Sequence, residues 1–266
     1  LAALFPDAIP LQLPHVTWPH SVARHPRYMK LLSEFDQVLA ISEAVKRDLE
    51  GFWRWQRAEV RASVKAIPLG ADFDSQPRHD PRATVPRPIL LCVGIVEPRK
   101  NQTFLVDVAE SLWAQGVEFD LHIVGRVNPH FGPPIVARFK ALGRRCPRFH
   151  FHEAASDEVL AELLASARAV VFPTIAEGCG LPVLESLWRG LPCVCSDLPV
   201  LRENTDDGGC LVLPPNDLSA WGAGLRDLLT DDEAWLELAQ AAGTRALPTW
   251  ADCAHVVRET LDSFKP

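Results

Sequence analysis

The stretch Ala169-Val-Val-Phe-Pro-Thr-Ile-Ala-Glu-Gly-Cys-Gly-Leu-Pro-Val-Leu-Glu185 reads as a buried strand, a glycine-bearing turn and the start of a helix. Ala169–Pro173 is a short apolar run of the kind that fills a strand covered on both faces. Gly178 and Gly180 let the backbone approach a ligand with no Cβ in the way. Pro182 falls in a first helical turn, where its missing N–H costs nothing. The free N–H groups of that turn, with the helix dipole behind them, suit an anion such as a diphosphate. Glu177 and Glu185 flank this anion site, so as carboxylates they are better matched to sugar and ribose hydroxyls. The bland alternative is a solvated pair with a capping role.

Outward from this stretch, the same alternation repeats. Apolar runs at Ile89–Gly94, Phe119–Gly125, Arg148–His152, Leu191–Ser196 and Cys210–Leu213 are predicted strands. Segments of helical period lie between them, near 101–115, 132–145, 156–167, 180–189 and 217–229. Such alternation predicts βαβ units and a parallel sheet with helices on both faces, a complete doubly wound α/β domain. Upstream, Phe35–Ile41 and Val64–Pro68 read as two more strands, and Ser42 as the N-cap of the helix between them. That is the tail of a second Rossmann-like domain. The Pro-rich run Ser75–Pro88 reads as a linker. Two helices, about 231–246 and 250–264, end the chain. The last is expected to pack on the first domain through Trp250, Ala254, Val257 and Leu261.

Composition narrows the function classes. With 47% hydrophobic and 23% charged residues in 266, the chain is neither disordered nor fibrous. No apolar run is long enough to span a membrane, and Leu1–Leu13 lacks the basic flank of a signal peptide. Its first residue is Leu, as expected of a piece of a longer chain. Seven scattered cysteines favour a reducing, cytoplasmic compartment, and Cys193-Val-Cys195 reads as buried thiols in a strand, with no zinc site. A net charge of −7 speaks against nucleic acid as a partner. Residues 81–266 carry seventeen Lys/Arg against twenty-four Asp/Glu, so any phosphate there must be held by a local arrangement.

Ligands of open parallel sheets collect beyond the carboxyl ends of the strands. On that rim the sequence puts Gly94–Asn101 with Arg99 and Lys100, then Gly125-Arg126, Thr174–Pro182 and Ser196-Asp197. Arg99 and Lys100 open the next predicted helix, where cations oppose the dipole unless a phosphate is bound.

Taken together these residues resemble the retaining glycosyltransferases of the GT-B fold, family GT4. Glu177-Gly-Cys-Gly-Leu-Pro-Val-Leu-Glu185 resembles that family's E-x7-E signature, EGFGLPxxE. Phe35–Glu43, Ile67–Asp72, Val93–Asn101 and His122–Gly125 resemble its other conserved segments, so the likeness covers nearly the whole chain. The resemblance implies a GT-B architecture with a complete C-terminal donor domain (86–247), a partial N-terminal, acceptor-side domain (1–80) and a terminal helix (248–266) packing back on it.

It further implies transfer of a sugar from a nucleoside-diphosphate sugar, GDP- or UDP-linked, to a saccharide or lipid-linked acceptor, with no metal or other cofactor. A mannosyl group is favoured by the Glu97-Pro-Arg-Lys-Asn101 loop. By resemblance Glu177 binds donor-sugar hydroxyls, Glu185 the ribose, and Lys100 the diphosphate. Arg99, Gly125, Gly178, Cys179, Gly180 and Leu181 would complete the donor site. His20, with His15 as the other candidate, stands for the histidine that the acceptor domain often supplies.

Three departures stand out: Ile95 where the family has Arg, Cys179 where it has an aromatic, and about 75 residues before the linker against about 150–200 for a full domain. They keep open a non-catalytic or regulatory sugar-nucleotide-binding module; a GT-B epimerase would lack the E-x7-E loop. Finally, Ala44–Lys65 interleaves six cations with Phe52, Trp53 and Trp55, which suits peripheral membrane contact or, alternatively, a domain helix burying Val45, Leu49 and Phe52.

Overall fold

The structure, a computed structural model, describes residues 1–73, 78–79 and 85–263. Most of the stretch read as a linker, 75–88, therefore lies outside the described residues. The first sheet holds β1 (Ala2–Phe5), β2 (Gln37–Ala40) and β3 (Ser63–Ala66) in that order, all parallel. β1 is the strand the sequence reading missed. Only four residues long, it is followed at once by Pro6 and Asp7, and what makes it a strand is its pairing with β2, Ala2 to Gln37 through Phe5 to Ala40. A one-turn helix, α1 (Ile9–Gln12), and α2 (Pro19–Leu32) carry the chain across to β2. Pro19 sits in the first turn of α2, where it is tolerated, but Pro26 lies inside the helix, a position that argues against helix in sequence terms.

Successive residues of β2 serve different neighbours, as strand geometry requires. Val38 and Ala40 join Phe5, Met29, Leu32, Val45, Leu49 and Trp53 in one core. Leu39, on the opposite face, meets Ile67 and Cys253. α3 (Glu43–Gln56) starts at Ser42, whose hydroxyl accepts from Val45 N at 3.1 Å, and stops at Arg57 in a left-handed conformation. It buries Val45, Leu49 and Trp53; Phe52, expected on that face, is only partly covered.

The second sheet has six parallel strands in the order β6-β5-β4-β7-β8-β9. These are β4 (Ile89–Val93), β5 (Asp120–Val124), β6 (Phe149–His152), β7 (Ala169–Phe172), β8 (Cys193–Ser196) and β9 (Cys210–Leu213). Leu90 and Cys92 feed the core under α4 (Gln102–Ala114), α5 (Pro133–Gly143) and α9 (Leu218–Thr230). Ile89 and Leu91 feed the other, under α6 (Asp157–Ser166), α7 (Leu181–Trp188) and α8 (Pro199–Thr205). The strand order reverses between β4 and β7, the switch point at which such sheets open a crevice.

α10 (Asp232–Thr244) adds Trp235 and Ala239 to the first of those cores. α11 (Trp250–Asp262) then returns to the first sheet, but on a face rotated from the expected one. Cys253 and Thr260 are buried, with Val256 and Val257 beside them against Leu39 and Ile67, while Trp250 and Leu261 stay about two-fifths exposed. The entry point sets this rotation. The Asp72 carboxylate accepts from Trp250 N at 2.7 Å, and a Cβ on Gly70 would stand 2.2 Å from the same nitrogen. No described helix is long and apolar enough to cross a membrane.

Candidate functional site

The loops leaving β4 and β7 meet at the switch point. Leaving β4, the chain passes Gly94 and a short 3-10 turn, Pro98–Lys100, before Asn101 adopts a left-handed conformation and α4 begins. Arg99 and Lys100 are therefore not in the first turn of α4, as the sequence reading had them. Asn101, the left-handed N-cap of α4, separates them from its first turn. Asn101 is fixed in turn by donating to Pro173 O (3.2 Å) and Asn216 Oδ1 (2.9 Å).

Both cations turn towards Glu177 on the β7 loop. Its Oε1 accepts from Lys100 Nζ at 2.7 Å, from Arg99 Nη1 at 3.0 Å and from the Thr174 hydroxyl at 2.7 Å. Arg99 also donates to Ala176 O (2.8 Å) and pairs with Glu97 Oε1 (2.8 Å). Two cations and two carboxylates thus neutralise one another. The side chains of Glu177 and Lys100 are only 9% and 11% exposed, so solvent screens this pairing far less than a surface salt bridge. Lys100 Nζ further lies 4.8 Å from the centre of the Phe172 ring, a cation–π contact at the end of β7. Glu97 and Thr174 were not singled out in the sequence. Glu97 stands two residues before Arg99, but nothing local says that its side chain turns back.

The glycines of the β7 loop serve closeness rather than mobility. A Cβ on Gly178 would stand 2.5 Å from Pro6 O, and Gly178 O accepts from the Ser42 hydroxyl at 2.8 Å. Gly178 is thus pressed against the end of β1 and the cap of α3. Gly180, the N-cap of α7, has φ +85°, and a Cβ there would meet Leu201 at 2.3 Å. Cys179 lies with Ala71 and Leu184 in an apolar cluster joined by Ile41 and Leu69, where burial pushes its thiol up to about 11. It also lines a cavity of about 250 Å³ between the two sheets, with Ser42, Pro68 and Glu203. At the end of β5, Gly125 touches the β4 turn so closely that a Cβ would lie 1.9 Å from Gly94 O. Leu181 and Glu185 are half-buried in α7.

The two halves are bound together around this loop. Glu203, on α8, accepts from the backbone N–H groups of Glu43 (2.8 Å) and Ala44 (2.6 Å) at the start of α3. His20 and His15 are exposed, and among the described residues neither makes a hydrogen bond, ion pair or ring contact. The histidine of α2 that does border the junction is His25. Its Nε2 lies 3.0 Å from Asp7 O, and Asp7 Cβ is 3.5 Å from the point a Gly178 Cβ would occupy. Only the packing of α2 on β1 brings His25 there, so the sequence carried no signal for it. Among the described residues, no three His, Cys, Asp or Glu side chains are grouped to hold a metal ion.

Residues 87–231, more than half of the chain, match the family described as Glycosyl transferases group 1, and the chain belongs to that family. It is 26% identical over 98% of its length to serotype-specific mannosyltransferase WbdA of Escherichia coli. It is 32% identical over 66% of its length to O-antigen chain mannosyltransferase B of the same organism, covering 45% of that protein. The chain spans about a third of the length of WbdA, 33%. Among solved structures it superposes on Anabaena HepE, determined with UDP and glucose, with a TM-score of 0.77 at 18% identity, covering 99% of this chain and 72% of that one. The fold is the GT-B fold of glycosyltransferases.

Proposed function

We propose that this chain contributes the donor-binding half, and part of the acceptor half, of a retaining, metal-independent glycosyltransferase. Residues 86–247 are the donor domain, residues 1–80 the acceptor-side remnant, and 248–266 the helix that ties the two. The observation that carries this reading is the Glu177 carboxylate held by Lys100 and Arg99 at the switch point. A nucleoside diphosphate entering there offers its phosphates to Lys100 and to the first turn of α7. Lys100 then exchanges Glu177 for phosphate, and the released carboxylate accepts hydrogen bonds from the donor sugar. Glu185 takes the ribose hydroxyls.

As the C1–O bond to the diphosphate breaks, negative charge grows on the leaving group, and preorganised donors stabilise it directly. The acceptor hydroxyl forms its bond to C1 on the same face and passes its proton to the departing phosphate, which preserves the anomeric configuration. A mannosyl group is supported by the names of the relatives, both mannosyltransferases. The donor is a GDP- or UDP-linked sugar, and the acceptor a saccharide or a lipid-linked one. Exposed Arg54 and Trp55 on α3 and Arg57 at its C-terminal end support peripheral contact with a membrane on its cytoplasmic side.

One residue favours the second reading, a binding module without turnover. Ile95, 38% exposed, stands at the position where the family usually has Arg. Calorimetric titration with nucleoside diphosphates and sugar nucleotides tests both readings. One nucleotide is expected to bind selectively, with affinity lowered about tenfold or more in Lys100→Ala, Glu177→Gln and Glu185→Ala. Binding with no sugar transfer to any acceptor selects the module; binding of no nucleotide defeats both.

A further inference from the structure

We propose that Trp18, His130 and Phe131 form a platform on which the acceptor saccharide stacks at the mouth of the cleft. The inference rests on the glycosyltransferase reading and adds the side chains that receive the acceptor. Trp18 immediately precedes α2 in the first half, whereas His130 and Phe131 belong to the loop after β5 in the second. The Trp18 ring centre is 4.6 Å from that of His130 and 6.2 Å, edge-on, from that of Phe131. One flank of the indole is covered in this way, yet the residue remains 44% exposed. His130 is exposed as well.

A large aromatic surface left open where two domains meet points to a ligand. A pyranose ring presents a flat patch of C–H groups that matches an indole face and a rim of hydroxyls that stays hydrated. The amphipathic character of Trp suits such a partner.

The loop bearing the platform is built and not merely placed. Buried Asn128 accepts from His130 N (3.0 Å) and Phe131 N (3.2 Å) through Oδ1. Its Nδ2 donates to Glu97 Oε2 at 2.9 Å. Glu97 holds Arg99, and Arg99 holds Glu177. An unbroken succession of hydrogen-bonded side chains therefore runs from the carboxylate assigned to the donor sugar to the backbone amides of the residues that bear two of the rings. With Lys100 paired to Glu177 the charges along it cancel, which favours a neutral polyol over an anion. The platform takes its Trp from the acceptor-side half, so the acceptor is its occupant.

The test uses the 266-residue chain and α-mannotetraose as the saccharide probe, followed by saturation-transfer NMR without donor, with nucleoside diphosphates titrated in parallel by calorimetry. The tetrasaccharide is expected to bind, with affinity falling about tenfold in Trp18→Ala and about threefold or less in Trp18→Phe. His130→Ala falls between them, and nucleotide affinity stays unchanged in all three. Far-UV circular dichroism checks that each variant is folded. Saccharide binding lost with Trp18 while no nucleotide binds at all keeps the platform and removes the transferase reading. Four results overturn the platform: a wild type that binds nucleotide but no saccharide, a Trp18→Ala variant that binds saccharide as well as wild type, a Trp18→Phe variant as weak as Trp18→Ala, and nucleotide affinity that drops in step with saccharide affinity.

Discussion

The two sheets are built on the same principle and differ in how well each closes around itself. In the six-stranded sheet, β4 and β7 lie at the centre, and each face of the sheet has its own core. In the three-stranded sheet only β2 is covered by strands on both sides, and its second face is closed by α11, which arrives from the far end of the chain. The larger sheet is therefore complete within one stretch of sequence, while the smaller depends on a remote helix, on Glu203 and on the β7 loop. A contact such as Ser42 to Gly178 holds the β7 loop and the smaller sheet at once.

This difference is testable by unfolding, and the largest effect comes from two buried tryptophans, one in each half. Trp235 is fully buried and donates to Arg168 O at 2.8 Å; Trp53 is 2% exposed and donates to Met29 O at 2.7 Å. Each change to Ala is expected to cost about 3–5 kcal/mol. In urea, Trp53→Ala should unfold the small sheet first and leave the large one standing, whereas Trp235→Ala should bring both down. Hydrogen exchange read separately on β2 and β4 checks this, and equal loss of protection on both strands in both variants would break the distinction.

A smaller effect is expected from Glu203→Ala. The carboxylate satisfies two orphan N–H groups at the positive end of α3 across the junction. Its removal is expected to cost about 1 kcal/mol, felt in the exchange of the α3 amides and not in those of α4. Glu203→Gln, which keeps an acceptor, should lose less.

A pH dependence confined to the large sheet is expected as well. His122 on β5 shares a bond with His152 on β6, 3.0 Å between ring nitrogens, and stacks on His150 at 4.3 Å between centres. Burial, and then the charges of His150 and His152, push His122 down from 6.5 to about 4. Between those values the unfolded chain takes up a proton that the folded chain refuses, so stability is complete above 6.5 and declines as pH falls towards 4. Urea midpoints of the large sheet across that range should show the decline, and His122→Asn should flatten it. A slope unchanged in that variant would move the effect elsewhere.

How far each half could be read from its residues follows the same line. Ile89–Val93 and Cys210–Leu213 are apolar runs set off by helical periods, so their strands were evident, and with them the crevice at the carboxyl ends. Ala2–Phe5 is equally apolar but has prolines just after it, and Pro26 disguises α2; strand and helix exist there because β2 and the core around Met29 hold them. For the candidate site, the residue types of Glu177, Lys100 and Arg99 were apparent from spacing and turn chemistry, but their mutual grip was not.

By itself, then, the sequence determined what local periodicity and backbone sterics control: the alternation of strand and helix, the glycine and proline turn before α7, and the rim on which the charged residues collect. Tertiary structure alone decided which face α11 buries, that Cys179 joins an apolar cluster, that Glu97 and Asn128 link Arg99 to the loop of His130, and that Trp18 crosses to meet it. These last depend on contacts between residues far apart in the chain. Their geometry is set by how the elements stack, which no local pattern of residue types records.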